Sequence, residues 1–163
     1  MAQRYANNPC DDVSAIQLYV TGGNAIFTLV SPATRRRYTY KMVRSKSSDR
    51  QYEIRLLQGD DLISLEAWHF IGRFYDELPL TANYPRIWFK SYGWCYYPGH
   101  WITVRDGLLY SDQAIAWLLL RTSEYLKKGC QFWMSDRCAR CGRLLTVPES
   151  IKTGFGPKCG GKI

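Results

Sequence analysis

Three cysteines in the last quarter of the chain carry its clearest chemistry. Cys138-Ala-Arg-Cys141-Gly-Arg places two thiols two residues apart with a glycine behind the second, and Cys159 follows between Gly-Pro-Lys and Gly-Gly. Two thiolates at this spacing can grip one ion from a tight turn, and the glycine lets backbone N–H groups approach the sulfurs. Three unrelated free thiols would be the plainer reading. The spacing, Gly142 and the glycine-rich approach to Cys159 favour a Zn2+ knuckle instead. Zinc takes four ligands in a tetrahedron, so a fourth must come from elsewhere. A thioredoxin-type redox pair is the rival, but the two cysteines are not framed by a preceding strand and a following long helix together.

Catalytic signals are absent. The two histidines, His69 and His100, stand in aromatic or apolar surroundings. The paired carboxylates Asp11-Asp12, Asp60-Asp61 and Asp76-Glu77 occupy capping or turn positions, where solvated surface explains them better than acid–base chemistry. There is no nucleophile elbow and no phosphate loop. A zinc ion with every position taken by protein would be structural, with no place for a reactive water. The sequence therefore points away from an enzyme.

Charge is the second signal. Of a net +8, residues 35–55 hold eight Lys/Arg against Asp49 and Glu53, a net of +6. Residues 130–163 hold six against Asp136 and Glu149, a net of +4, and the remainder is slightly acidic. Cations gathered in blocks attract phosphate, and counterion release drives such binding. The expected phosphate contacts are Arg35, Arg36, Arg37 and Lys41 in the first block and Arg140, Arg143 and Lys158 in the second, joined on one continuous surface. No apolar run is long enough to span a membrane. The polar opening residues and the ordinary core composition of a 163-residue chain lead to the expectation of a reducing, cytoplasmic setting in which cysteines bind metal.

The elements that position these groups form an α+β body. Asp11-Asp12 before Val13, Ile16, Tyr19 and Val20, with Gly22-Gly23 behind, predict a helix over 11–21. From 24 to 74 the chain alternates as strands do. Tyr38, Tyr40 and Met42 point one way and Arg37, Thr39 and Lys41 the other, followed by Tyr52, Ile54 and Leu56 in the next run. This predicts an antiparallel meander of four or five strands. The aromatic-rich segment 76–110 is broken by prolines, with possible strands at 88–90 and 102–104. Its rings are read as core filling in preference to base stacking. Ser111-Asp112 open, and Lys127-Lys128-Gly129 close, an apolar stretch read as one long helix over 111–128, packed on the sheet. Residues 130–134 form a short strand leading into a knuckle spanning 130–163, an appendage to a body of residues 1–129. Within it, 148–153 makes a helical turn ended by Gly154.

The run from Cys138 to Cys159, with Cys-Gly-Arg-Leu-Leu-Thr-Val-Pro-Glu-Ser-Ile and Gly-Phe-Gly-Pro-Lys-Cys, resembles a family of uncharacterised small proteins of bacteriophages, prophages and other mobile elements. Gly23-Asn-Ala-Ile-Phe-Thr-Leu-Val-Ser31 followed by Arg37-Tyr-Thr-Tyr resembles the opening of the same proteins. The resemblance implies a zinc knuckle and a mobile-element context. It also implies a histidine four residues before the first knuckle cysteine, where this chain has Met134, a poor zinc ligand. Cys130 is the leading replacement, because residues 130, 132 and 134 of a strand share one face. It reaches the metal only if the strand bends or bulges. Asp136, His69 and His100 are the other candidates.

Two functions follow as expectations. The first is a non-enzymatic accessory protein that binds nucleic acid, or a nucleoprotein complex of the host, through its basic surface. The alternative is a protein-directed inhibitor of a host defence nuclease, of the anti-CRISPR kind, acting on the effector complex.

Overall fold

The computed structural model describes residues 8–48, 50–58, 67–76, 85–96 and 109–160. Its centre is one eight-stranded sheet, antiparallel throughout, in the order β1-β8-β2-β3-β4-β5-β6-β7. The strands are β1 (Asn8–Cys10), β2 (Asn24–Ser31), β3 (Arg36–Arg44), β4 (Gln51–Leu57), β5 (Trp68–Tyr75), β6 (Arg86–Phe89), β7 (Gly93–Tyr96) and β8 (Gln131–Met134). The expected meander is present as β2 to β5. It continues into β6 and β7, while β1 and β8 extend it on the other side of β2. The expected strand at 102–104, residues 62–66 and His100 lie outside the described residues.

Alternation decides what each face does. Phe27, Leu29, Tyr40, Met42, Ile54 and Phe132 point to one face and are fully buried. Three helices cover that face: α1 (Val13–Val20), α2 (Tyr110–Leu120) and α3 (Thr122–Lys127). Asp12 caps α1 by accepting the Ala15 N–H at 2.8 Å. Tyr40 donates its hydroxyl to the Ser111 carbonyl of α2 at 2.6 Å, and the Tyr19 ring of α1 meets Phe132 edge-on at 5.9 Å. Burial of these large side chains is the main stabilising term.

The expected single helix over 111–128 is two helices. Arg121, at φ −142° and ψ 57°, separates α2 from α3. The Thr122 hydroxyl donates to the Leu118 carbonyl one turn back at 2.6 Å, a bond that bends helices. After the bend, Tyr125 donates its hydroxyl to the Gln131 carbonyl at 2.5 Å, tying α3 to the start of β8. Ser111 and Asp112 do not cap the helix either. Leu109 holds the cap position, and both polar residues are buried within the first turn. The Asp112 carboxylate accepts a hydrogen bond from the Ser91 hydroxyl, and burial pushes its pKa up.

The C-terminal segment is not an appendage. β8 pairs with β2 on one side and β1 on the other, so a boundary at residue 130 would cut through the sheet. Cys138, Ala139, Leu145 and Phe155 belong to the same buried cluster as Tyr19 and Phe132. The expected turn at 148–153 is α4 (Pro148–Thr153), closed by Gly154 at φ 82°; α5 (Pro157–Gly160) follows. Gly154 lies directly on Tyr19. A Cβ there would stand 2.3 Å from the Tyr19 ring, and the backbone is left-handed. Gly154→Ala therefore combines αL strain with overpacking and is expected to destabilise the protein by about 2–4 kcal/mol. Chemical denaturation of parent and variant checks this, and an unchanged midpoint would refute the close packing.

Candidate metal centre and basic sheet face

After β8 the chain leaves the sheet through Ser135, whose N–H donates to the Ile26 carbonyl at 3.0 Å. It then forms a tight arm closed by the Arg137–Leu144 bridge and by the Cys138 N–H on the Arg143 carbonyl at 2.8 Å. Gly142 sits at the turn of that arm with φ 78°. The arm is docked on the body from both sides. Asn24 donates its N–H to the Ala139 carbonyl at 2.6 Å, and Ala139 donates to the Gly154 carbonyl at 2.9 Å. This docking brings α5 over the arm and delivers Cys159.

The sulfurs of Cys138, Cys141 and Cys159 lie within 4.8 Å of one another. Thiolates bound tetrahedrally at a Zn–S distance of about 2.3 Å would stand about 3.8 Å apart, so the three fit a single ion. Cys138 is buried, Cys159 half-buried and Cys141 exposed. The N–H groups of Arg140 and Gly156 each point at the Cys138 sulfur at 3.4 Å. Burial pushes this thiol up, but these N–H groups and that of Cys141 outweigh it and bring the pKa down to about 7. Cys159 is pushed up to about 11, by desolvation and by sharing its proton with the sulfurs of Cys138 and Cys141. One sulfur is thus readied as a thiolate, and a bound cation would relieve the crowding of the other two. The cluster can hold a metal ion, and its all-thiolate donor set suits zinc.

Cys130 is not the fourth ligand. It lies beside Ser31, at the opposite end of β2 from Asn24, where the arm docks. Seven strand steps separate those ends, roughly 24 Å at about 3.4 Å per residue. β8 is held by hydrogen-bonded neighbours on both sides and cannot bend back across that length. Cys130 instead lines a cavity of about 250 Å³ with Arg36, Tyr110 and Lys128. Met134 is buried, 3.2 Å from where a Cβ on Gly154 would stand, and serves the core. Asp136 contributes its carbonyl to the Leu145 N–H. His69 lies on β5, paired with Leu56. Among the described residues, no fourth His, Cys, Asp or Glu joins the three cysteines.

The expected phosphate contacts divide. Arg35 is exposed in the β2–β3 turn with φ 56°. Arg36 turns toward the helix side and stacks on Tyr110 at 3.8 Å. Arg37 and Lys41 point to the face opposite the helices, as their register with Val30 and Ile26 requires. Arg140, Arg143 and Lys158 are exposed on the arm and α5. The hairpin tip with Arg35 and Arg36 and the docked arm lie at opposite ends of β2, so they do not form one continuous patch. The residue that links the blocks is Arg137. Its charge, with that of Arg55, helps burial to lower the Lys41 pKa.

The sheet face away from the helices also carries groups that composition alone hid. Across β5, β6 and β7, Trp68, Phe70, Tyr75, Trp88 and Trp94 alternate with Arg73 and Arg86 on this face, with Arg55 beside them on β4. Strand parity is the signal that separates them. Ile87, Phe89 and Cys95 face the core, so Trp88 and Trp94 face away. The preference for core filling holds for Phe89, which is fully buried, but not for Trp94, which is 43% exposed.

Cobalt(II) is expected to bind at one equivalent per chain with thiolate-to-metal charge-transfer absorption. Cys138→Ser should abolish the signal and Cys130→Ser should leave it intact. Loss of the signal in Cys130→Ser would reverse the exclusion of that residue.

No curated protein and no solved structure gives a significant match to the chain. Residues 134–163, running from Met134 through all three clustered cysteines, match the model of a family of unknown function, DUF6011.

Proposed function

We propose that the protein is a non-enzymatic nucleic-acid-binding accessory protein whose knuckle holds one structural Zn2+ through Cys138, Cys141 and Cys159. The phage or mobile-element context comes from the sequence resemblance. Zinc would fix the arm against β2, and through it the position of Arg137 beside Lys41.

One observation carries the nucleic-acid reading. Arg37, Lys41, Arg55, Arg73 and Arg86 share the sheet face away from the helices. Glu53 is the single carboxylate among the described strand residues, and it is already paired with Arg55 at 2.8 Å. A face of this sign and extent concentrates phosphate.

Affinity for DNA and RNA is expected to fall steeply with salt. Arg37→Ala or Arg73→Ala should each flatten the log–log salt slope by about one unit if the side chain meets a phosphate. Arg36→Ala, on the helix side, should leave the slope unchanged. Binding isotherms at several salt concentrations decide this. Absence of binding to every nucleic acid at low salt would end this reading, and a tight complex with a purified host nuclease would favour the inhibitor.

A further inference from the structure

We infer that the sheet face across β5, β6 and β7 is a base-stacking track, and that its partner is a single-stranded polynucleotide, not a duplex. This rests on the nucleic-acid reading above and adds which form of nucleic acid the face takes.

The rings on this face are arranged as a surface and are not dispersed. Phe70 and Trp88, on neighbouring strands, have centroids 6.3 Å apart, and Tyr75 and Trp94 lie 5.3 Å apart across β6. Trp88 and Trp94 are direct partners in the β6–β7 register. A ladder of hydrogen-bonded strands fixes these spacings, so a ligand meets rings already in place.

Cations are interleaved with the rings. Arg86 lies over Trp94 at 4.7 Å and over Tyr75 at 5.1 Å. Arg73 lies over Phe70 at 5.1 Å, and Lys41 is 5.9 Å from Trp68, a ring that is itself buried and supports the track without being open to a base. Ring and guanidinium planes are both platforms on which an unpaired base stacks, and the same cations hold the backbone phosphates. A surface for another protein would be expected to carry rings with mixed charge. Here the only carboxylate among the described strand residues, Glu53, is neutralised by Arg55, so the face suits a partner that is flat, apolar and polyanionic.

The geometry selects against duplex. Bases in a duplex are stacked on each other and present only their edges in the grooves. A broad sheet, unlike a helix or a two-stranded ribbon, does not fit an undistorted major groove, so against straight duplex its rings would meet mainly phosphate and sugar. Single strands can splay their bases onto it. Trp94, at the sheet edge and 43% exposed, offers the first accessible platform.

The test titrates a 20-nucleotide single-stranded DNA, the RNA of the same sequence and the corresponding DNA duplex into the full-length protein. It follows both affinity and intrinsic tryptophan fluorescence. Single strands should bind at least tenfold tighter than duplex at equal salt and quench the emission. The RNA and DNA arms identify which polynucleotide is preferred. Trp94→Ala should weaken single-strand binding by about 5- to 100-fold without changing the salt slope, and Trp94→Phe should restore most of it. Because Trp94 is exposed, the parent's melting temperature should persist in both variants. Equal affinity for duplex, or an unaltered single-strand affinity in Trp94→Ala, would overturn the stacking track while leaving phosphate binding in place. No binding by any arm would overturn both.

Discussion

Tyr19 is the side chain on which the assembly of this protein turns. It is fully buried, yet its hydroxyl is satisfied, donating to the Ile26 carbonyl at 2.8 Å and meeting the Ser135 hydroxyl at 3.2 Å. Its ring contacts Phe132 of β8 and Phe155 behind α4, at 5.9 and 6.3 Å, while Gly154 gives up a side chain to make room for it. A residue near the start of the chain thus binds together α1, the β2–β8 pair and the cysteine-bearing arm. Burial pushes its pKa up to about 12, so the phenol stays neutral and can keep donating across the physiological range. The metal cluster inherits its position from this contact, because the Cys138–Ala139 turn hangs between Asn24 and Gly154.

A second constraint is the period of two. Neighbouring residues on β3 receive opposite assignments: Arg36 joins the helix side and Tyr110, while Arg37 joins the outer face. The basic run Arg35-Arg36-Arg37 is contiguous in sequence and dispersed in space. What gathers charge on the outer face is the recurrence of Arg and Lys at alternate positions on successive strands, with the arm adding Arg137 from a distant part of the chain. Charge blocks read along a sequence therefore overstate local patches and understate those built across strands.

Much of the fold was legible for local reasons. The strands over 24–57 alternate cleanly, Asp12 and the glycines after Thr21 bracket α1, and the knuckle spacing needs no tertiary information to be seen. Gly154 as the end of α4 followed from the same local logic. The misses are non-local. Nothing in Gln131–Met134 marks it as lying between β1 and β2, and that pairing is what holds β8 straight and leaves Cys130 far from Cys138, Cys141 and Cys159. The break at Arg121 depends on a hydroxyl turning back on its own helix, which an apolar pattern does not register. The aromatic track was hidden because rings occupy both faces of β6, so composition could not say that Phe89 is core and Trp88 is not.

The insertion of β8 between β1 and β2 has a bearing on synthesis. β1 finds its hydrogen-bonding partner more than 120 residues later, and one edge of β2 stays unpaired until the same segment arrives. On the ribosome the meander from β2 onward can assemble as it emerges, but β1 must wait for β8. That long-range closure raises contact order and leaves an apolar edge open during translation. It also means that a chain cut before residue 131 is not a knuckle-less version of this protein. It lacks an interior strand, with β1 unpaired and the Tyr19 ring stripped of Phe132 and Phe155, and would present that open edge to whatever strand came near.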